Sequence, residues 1–449
     1  MKIRAGCILW VLLALRTLAA PASPEAVVLV LGDQHSAYER TAQLVGFVDQ
    51  LRAARPGLPM AILLDGDTQE YGNKVAQRSG AAIDFALYAA LARRAPTVVN
   101  LGNHEADFFP LDETAKRIEQ GGAKVVSNLV NRATGKPFAP ASVRIPLGRD
   151  EAVVVGVGTD RLDVYRAAVR PTLELPAAAA WAQENFPALL KSAPLPIVLS
   201  HAGIATDRRM FPFAPDGTLF AGAHDHQRFV EPMGRTVYFH SGSWNSHVSL
   251  AWLTREADGR PRWTVEQLAL QESGPADPEM AATIAKVMAE HLLAEDRVVV
   301  GHIAAALAPP EAAQFAARAL RMASGVDAAF VGNTTFGAGL PAGDVSRAQF
   351  DACVRFDGAV FVAEVDGARL KELLAAANLT PATPFAQRKG EFNYAAGPDA
   401  IDPQKTYRIA TTDWGARNTD RYFGPPALTW QAAAGEKFKA AVLKALRPD

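Results

Sequence analysis

Cysteine is nearly missing from this chain of 449 residues: there are two, Cys7 and Cys353. That count excludes a cysteine-built zinc module and a disulfide scaffold. Neither sign of charge dominates, with 46 Lys plus Arg against 47 Asp plus Glu and a formal net charge of -1. No global field draws the chain to nucleic acid or anionic lipid, so a partner must be recognised by a site. Internal repeats are absent, and so are low-complexity tracts beyond alanine-rich helices. What is plentiful is apolar surface, at 49% of residues, enough to bury a sizeable core. At roughly 150 residues per domain the length predicts two or three domains.

The N-terminus reads as an export signal. Lys2 and Arg4 precede an apolar run from Ala5 to Leu15, and Ala19-Ala20-Pro21-Ala22 offers a small-residue cleavage site. The run is shorter than the ~20 residues a membrane span requires. Residues 1–22 are therefore expected to be removed, taking Cys7, Lys2, Arg4 and Arg16 with them. The mature chain would be mildly acidic, periplasmic or secreted, with no membrane span and no internal disulfide.

From Glu25 to Leu270 short β-branched runs alternate with helical patterns, which predicts an α/β domain over 25–272. The strand-like runs are Ala26 to Leu31, Ala61 to Leu64, Thr97 to Leu101, Lys124 to Val126, Ala152 to Val157, Ile197 to Leu199, Leu219 to Ala221 and Val237 to His240. A closing pair, Val248 to Thr254 and Trp263 to Leu270, reads as a hairpin about Asp258-Gly259-Arg260-Pro261. The breaker cluster Glu272-Ser273-Gly274-Pro275 ends this region. Asp277-Pro278 is good N-cap and N1 chemistry, and Met280, Ile284, Val287, Met288 and Leu292 recur at helical spacing. One amphipathic helix, within 275–297, is expected to bridge to a second α/β unit over 298–449, whose runs include Val298 to Val300, Ala328 to Val331, Val360 to Val365 and Tyr407 to Ala410.

Five of the nine histidines fall in polar clusters directly after predicted strands. In order, the clusters are Asp33-Gln34-His35, Asp65-Gly66-Asp67, Gly102-Asn103-His104-Glu105, Ser200-His201 and His224-Asp225-His226. Strand ends on one edge of a sheet converge, so residues far apart in sequence can share a site there. Taken singly, each cluster reads equally as a turn or a satisfied core histidine. As an ordered set they resemble the dinuclear metallophosphoesterase superfamily, and Gly-Asn-His-Glu-Ala-Asp at 102–107 resembles its 5'-nucleotidase branch.

The resemblance implies a four-layer α-β-β-α sandwich carrying two divalent ions, with a smaller α/β domain of the 5'-nucleotidase C-terminal type behind it. It implies that Asp67 bridges the ions, that Asp33, His35 and His226 complete one site, and that Asn103, His201 and His224 complete the other. Such mixed ligands suit Zn, Mn, Co or Fe. Two ions a few ångströms apart supply a hydroxide nucleophile and neutralise the charge of a phosphoryl group in transfer. A neutral Asn103 keeps the cluster positive. By the same resemblance His104 and Asp107 form a dyad that assists the leaving group, with Asp107 holding the imidazole's tautomer; the other reading of Asp107 is a helix cap. Glu105, Asp65 and Asp225 read as structural, His291 and His302 as uninvolved, and His240 and His247 as rim candidates beside Ser241-Gly242-Ser243-Trp244.

In the second unit, Leu340-Pro341-Ala342-Gly343-Asp344, Arg355-Phe356-Asp357-Gly358, Val365 to Lys371 and Tyr407 to Asp413 follow the order of the 5'-nucleotidase C-terminal domain. Phe356 and Tyr422 match its base-stacking rings, although both also fit ordinary core packing. Gly337 stands where the family has an Arg, and Arg421 or Arg408 could replace that contact. The implied function is an exported hydrolase of small phosphate esters, nucleotides first, by attack of a metal-bridging hydroxide. The alternatives are the same chemistry on a UDP-sugar, a 2',3'-cyclic nucleotide or a sulfur ester, or a non-catalytic two-domain binding protein.

Overall fold

The computed structural model describes residues 24–447; the expected signal and Cys7 lie outside them. Two six-stranded sheets form the first domain. One has the order Pro261–Ala269, His247–Arg255, Ala26–Leu31, Met60–Asp65, Thr97–Asn100, Lys124–Val126, and the other the order Arg228–Met233, Thr236–Ser241, Leu219–Gly222, Leu195–Ser200, Asp150–Val157, Ser142–Leu147.

The strands explain the layering. Ala26–Leu31 is buried at every position, as a strand covered on both faces must be. Its alternate residues Val27, Leu29 and Leu31 pack with helices Thr41–Ala54 and Ala82–Ala92, while Ala26, Val28 and Val30 face the second sheet through Val154, Ile197 and Phe239. Helix Ala178–Leu190 covers the far side through Ala182, Phe186 and Leu190. The result is the expected α-β-β-α sandwich. Edge strands Ser142–Leu147 and Arg228–Met233 escaped the sequence reading because Pro146 and Pro232 interrupt them, as an edge strand tolerates.

Asp277 caps the helix after the breaker cluster, accepting from Met280 N at 2.7 Å with Pro278 at N1. That helix is shorter than the interval expected, Pro278–His291, and a 3-10 turn at Ala294–Arg297 follows it. It does not span a gap: Met280 and Val287 join the core of the first domain against its outer helices. The second domain is a five-stranded sheet ordered Asn393–Ala396, Ala328–Gly332, Thr406–Thr412, Ala359–Asp366, Gln431–Lys437, with Pro309–Ser324 and Phe438–Ala445 on one face and Gly367–Ala375 on the other. Val299–Ile303 pairs apart from it with Gly343–Ser346. Among the described residues, no helix is long and apolar enough to cross a membrane.

Candidate metal centre

Parallel register brings the polar clusters to one edge. Leu31 lies opposite Leu64, Asp65 opposite Asn100, and Ser200 opposite Gly222, so the loops carrying Asp33, Asp67 and Asn103 leave neighbouring strands together, as do those carrying His201 and His224. Backbone bonds lace these loops: Asp33 N donates to Gly66 O at 3.1 Å, His35 N to Asp67 O at 2.8 Å and Ala223 N to Ser200 O at 2.9 Å. The side chain of Asn100, wholly buried between the sheets, donates to Asp65 Oδ1 at 2.9 Å and to the carbonyls of Val157 and Leu199 at 3.0 and 3.2 Å.

The turns are tight enough to force left-handed backbone on side chains that resist it. Asp33, His35, Asp67, His224 and His226 have φ of 53°, 53°, 51°, 79° and 52°. Each such conformation costs roughly 1–2 kcal/mol, and strain of this kind collects where side chains must be aimed. Close approach is also required of Gly66, where a Cβ would lie 2.7 Å from both Gly102 N and His201 Nδ1.

Three groups of donor atoms converge, each within 4.8 Å: Asp33, His35 and His226; Asp67, His201 and His224; and His35, Asp67 and His104. His201 Nε2 is 3.0 Å from Asp67 Oδ2 and 3.8 Å from Asp33 Oδ1. Metal chemistry fits the orphaned atoms. His35 Nδ1 and Nε2, His201 Nε2, His224 Nε2, His226 Nδ1 and Asn103 Oδ1 are buried with no hydrogen-bond partner, a costly arrangement unless a cation takes them. His201 shows which nitrogen is offered: its Nδ1 lies 2.7 Å from the Asp65 carbonyl oxygen, leaving Nε2 free.

Electrostatics agree for three of the imidazoles. Burial holds the His35 and His224 imidazoles well below their usual range and brings His226 to about 3, which keeps them neutral as ligands must be. Burial works against a proton on His201, but Asp67 and Asp33 outweigh it and hold that imidazole high. Asp67, whose own carboxyl is held against its burial below the usual range by His201 and His104, is the main source of that attraction. Burial also keeps the Asp33 carboxyl well above the usual range.

His104 sits beside this cluster, its ring 5.2 Å from that of His35. His104 Nδ1 is 2.7 Å from Asp107 Oδ2, which also accepts from Tyr71 N at 2.8 Å. Burial disfavours the imidazolium, yet Asp107 and Asp67 prevail and lift it to about 10. Asp107 caps no helix, since the next one starts at Leu111 behind Pro110. Glu105 braces the loops by accepting from Asp67 N, Thr68 N and Gly102 N, each at 2.8 Å. Asp225 accepts from Ile204 N at 2.6 Å. His240 turns away to Tyr238 and Asp207, and His247 to Ser246. Trp244 stacks on His35 at 4.7 Å.

A cavity of about 260 Å³ opens over His35, Asp67, Asn103, His104, His224 and His226. The second domain supplies its far wall with Phe356, Trp414, Thr334, Glu391 and Arg417. Phe356 lies in that wall, 41% exposed, but its expected partner does not. Tyr422 is buried under Gly332, its hydroxyl engaged by Glu391, Thr334 and Trp414, and Arg421 is paired with Glu391 at 2.6 Å rather than facing the cavity. Arg408 is exposed on its strand and lies outside the cavity. No side chain fits at Gly337, where a Cβ would collide with the Ala352 carbonyl and lie 3.2 Å from the Trp244 ring.

Sequence reasoning missed Glu391, whose Oε1 is 3.8 Å from His224 Nε2, and also Trp414 and Arg417. No local pattern marks them. Glu70 could have been suspected, since it ends the polar run Asp67-Thr68-Gln69-Glu70 and is wholly buried.

Residues 26–228 match the calcineurin-like phosphoesterase family and residues 301–400 the 5'-nucleotidase C-terminal domain. Over those residues the chain carries a calcineurin-like phosphoesterase domain and a 5'-nucleotidase-type C-terminal domain, and its donor clusters fit a metal-dependent hydrolase with a dinuclear site. Its fold is shared with a 5'-nucleotidase precursor from Thermus thermophilus, at 16% identity, TM-score 0.62, and coverage of 94% of this chain and 96% of that one. The sulfate thiohydrolase SoxB of Thermus thermophilus aligns at 16% identity and TM-score 0.64 over 95% and 94% of the two chains. A 5'-nucleotidase from Candida albicans aligns at 12% identity and TM-score 0.61 over 95% and 98%. No curated protein sequence matches the chain.

Proposed function

We propose that this protein is an exported phosphomonoesterase that releases phosphate from nucleotide-like substrates. The observation that carries the reading is the convergence of orphaned buried donor atoms on one sheet edge, with the His104–Asp107 pair at the mouth of the cavity above them. Asp33, His35 and His226 would hold one divalent ion and Asn103, His201 and His224 the other, with Asp67 shared. When bound, the pair of ions supplies Lewis acidity at the phosphoryl oxygens and a nucleophile at neutral pH.

The chain's own groups do the rest. His104 keeps its Nδ1 proton directed at Asp107 and presents Nε2 to the leaving oxygen, to which it delivers a proton. Phe356 and Trp414 offer apolar surface to the organic part and, with Thr334, exclude water from it. Export is supported by the signal-like residues 1–22 and by the precursor form of the Thermus thermophilus relative.

The test is phosphate release from 5'-AMP by purified protein supplied with Mn and then stripped with a chelator. Chelator-sensitive release is expected. A second reading, a non-nucleotide ester such as a sulfur ester, is favoured by Gly337 and by the burial of Tyr422. Intact AMP alongside cleavage of an aryl phosphate or a thiosulfonate would select it.

A further inference from the structure

Among the candidate ligands, His35 is the one with both ring nitrogens buried and unpartnered. Its surroundings must therefore fix it. Trp244 stacks on the ring with an interplanar angle of 27°. Glu70 Oε2 faces Nδ1 at 3.6 Å. Both neighbours are held by one residue from the other domain. Arg355 donates to Glu70 Oε2 through Nε at 2.9 Å and through Nη2 at 2.6 Å, and Nη2 also donates to the His35 carbonyl oxygen at 2.9 Å. Its guanidinium carbon lies 4.7 Å from the centre of the Trp244 ring.

This guanidinium is 3% exposed and the Glu70 carboxylate fully buried. A desolvated pair of this kind is weak evidence for stability alone, because desolvation offsets its attraction. Its placement is more specific than docking requires. One planar fork reaches the carbonyl of His35, the carboxylate facing its Nδ1 and the ring stacked on it. Gly337 makes the approach possible by leaving its backbone bare against Trp244.

We propose that Arg355 is a positioning residue for the metal centre: the second domain inserts a guanidinium that fixes Glu70 and Trp244 and thereby aims His35 Nε2 at the ion. The proposal rests on the reading of His35 as a metal ligand. Glu70 Oε2, the carboxylate oxygen facing Nδ1 at 3.6 Å, favours the tautomer with its proton there, which leaves Nε2, 3.9 Å from Asp33 Oδ1, as the ligating atom. Lysine cannot substitute, since it has no fork to share between a carboxylate and a carbonyl.

The test is Co(II) titration of the full chain, followed by calorimetry and visible absorption. The unmodified protein binds two ions. Arg355→Met and the near-isosteric Glu70→Gln each weaken one site by roughly ten- to hundredfold, the range for partners of ligating histidines, and change its d–d spectrum, while the other site is unmoved. The double variant loses no more than either single one. Arg208→Met is the control: Arg208 crosses the same domain boundary to the carbonyls of Phe385 and Arg388, at 2.6 and 2.9 Å, without touching His35 or its neighbours, and both sites should keep their affinity. Unchanged affinity in Glu70→Gln and Arg355→Met, or an equal loss in Arg208→Met, overturns the proposal. An unmodified chain that binds no second ion overturns the metal reading itself.

Discussion

On the sandwich side of the cavity, every candidate ligand and His104 lies within four residues of a strand end, from His201 directly after Ser200 to His226 after Gly222. On the facing side Thr334 and Trp414 also follow strand ends, at Gly332 and Thr412, but Phe356 follows a short helix and Glu391 precedes a strand. The first wall is aimed by backbone, through register, laced loops and left-handed turns. The second is aimed by side chains packing on one another, as Glu391, Tyr422 and Arg421 do. A wall of the first kind can be altered only by losing the site, whereas one of the second kind can be refitted to another leaving group with the chemistry intact.

Breaking the first wall should have the largest effect. Asp67→Asn, at the proposed bridge, should lower turnover about a thousandfold or more, since several kcal/mol of transition-state stabilisation go with the ions; metal content and phosphate release are measured together. His104→Asn should cost about 10² to 10⁴ in kcat with both ions retained. That loss should shrink for an aryl phosphate, whose leaving group needs no proton, and an equal loss on both substrates would remove His104 from the proton step. Asn103→Asp should still bind two ions yet turn over more slowly, because an added negative charge weakens their Lewis acidity; unchanged turnover would count against it.

The second wall should respond more gently. Phe356→Ala should raise KM for an ester with an aromatic group by the equivalent of about 1 to 3 kcal/mol, the value of base stacking on an aromatic ring. Tyr422→Phe should leave KM alone and cost about 1 kcal/mol of stability, the worth of a buried hydrogen bond, seen in thermal unfolding. The reverse pattern would mean that Tyr422, not Phe356, faces the substrate.

The same contrast governs what could be read in advance. Asp-x-His, Gly-Asp, Gly-Asn-His-Glu, His and His-x-His each follow a short apolar run, and parallel strands bring such ends together whatever the details of packing. An α/β domain was legible from the alternation of apolar runs with helical patterns, whereas the four layers followed from the family resemblance of the motifs. Nothing local distinguishes Phe356 from Tyr422, both aromatic in polar surroundings; only the packing of Gly332 against the Tyr422 ring decides that one is buried. Arg355 stands between Val354 and Phe356 with no sign that its partner is Glu70, because a contact across 285 positions leaves no periodic trace. Gly337 stands where the family has an Arg, and the structure gives the positive reason: the Ala352 carbonyl of the same domain, and then the Trp244 ring, leave no room for a side chain.

Asn100 joins Asp65 of one sheet to Val157 and Leu199 of the other, and each proposed ion draws ligands from both sheets: Asp33 and His35 with His226, and Asn103 with His201 and His224. The ions are thus cross-links of the sandwich as well as reagents, and their occupancy is thermodynamically linked to folding. At a free metal concentration one hundred times the dissociation constant, a single such site adds about 2.7 kcal/mol to unfolding. Resistance to unfolding and proteolysis would then follow the supply of an ion that the chemistry does not consume.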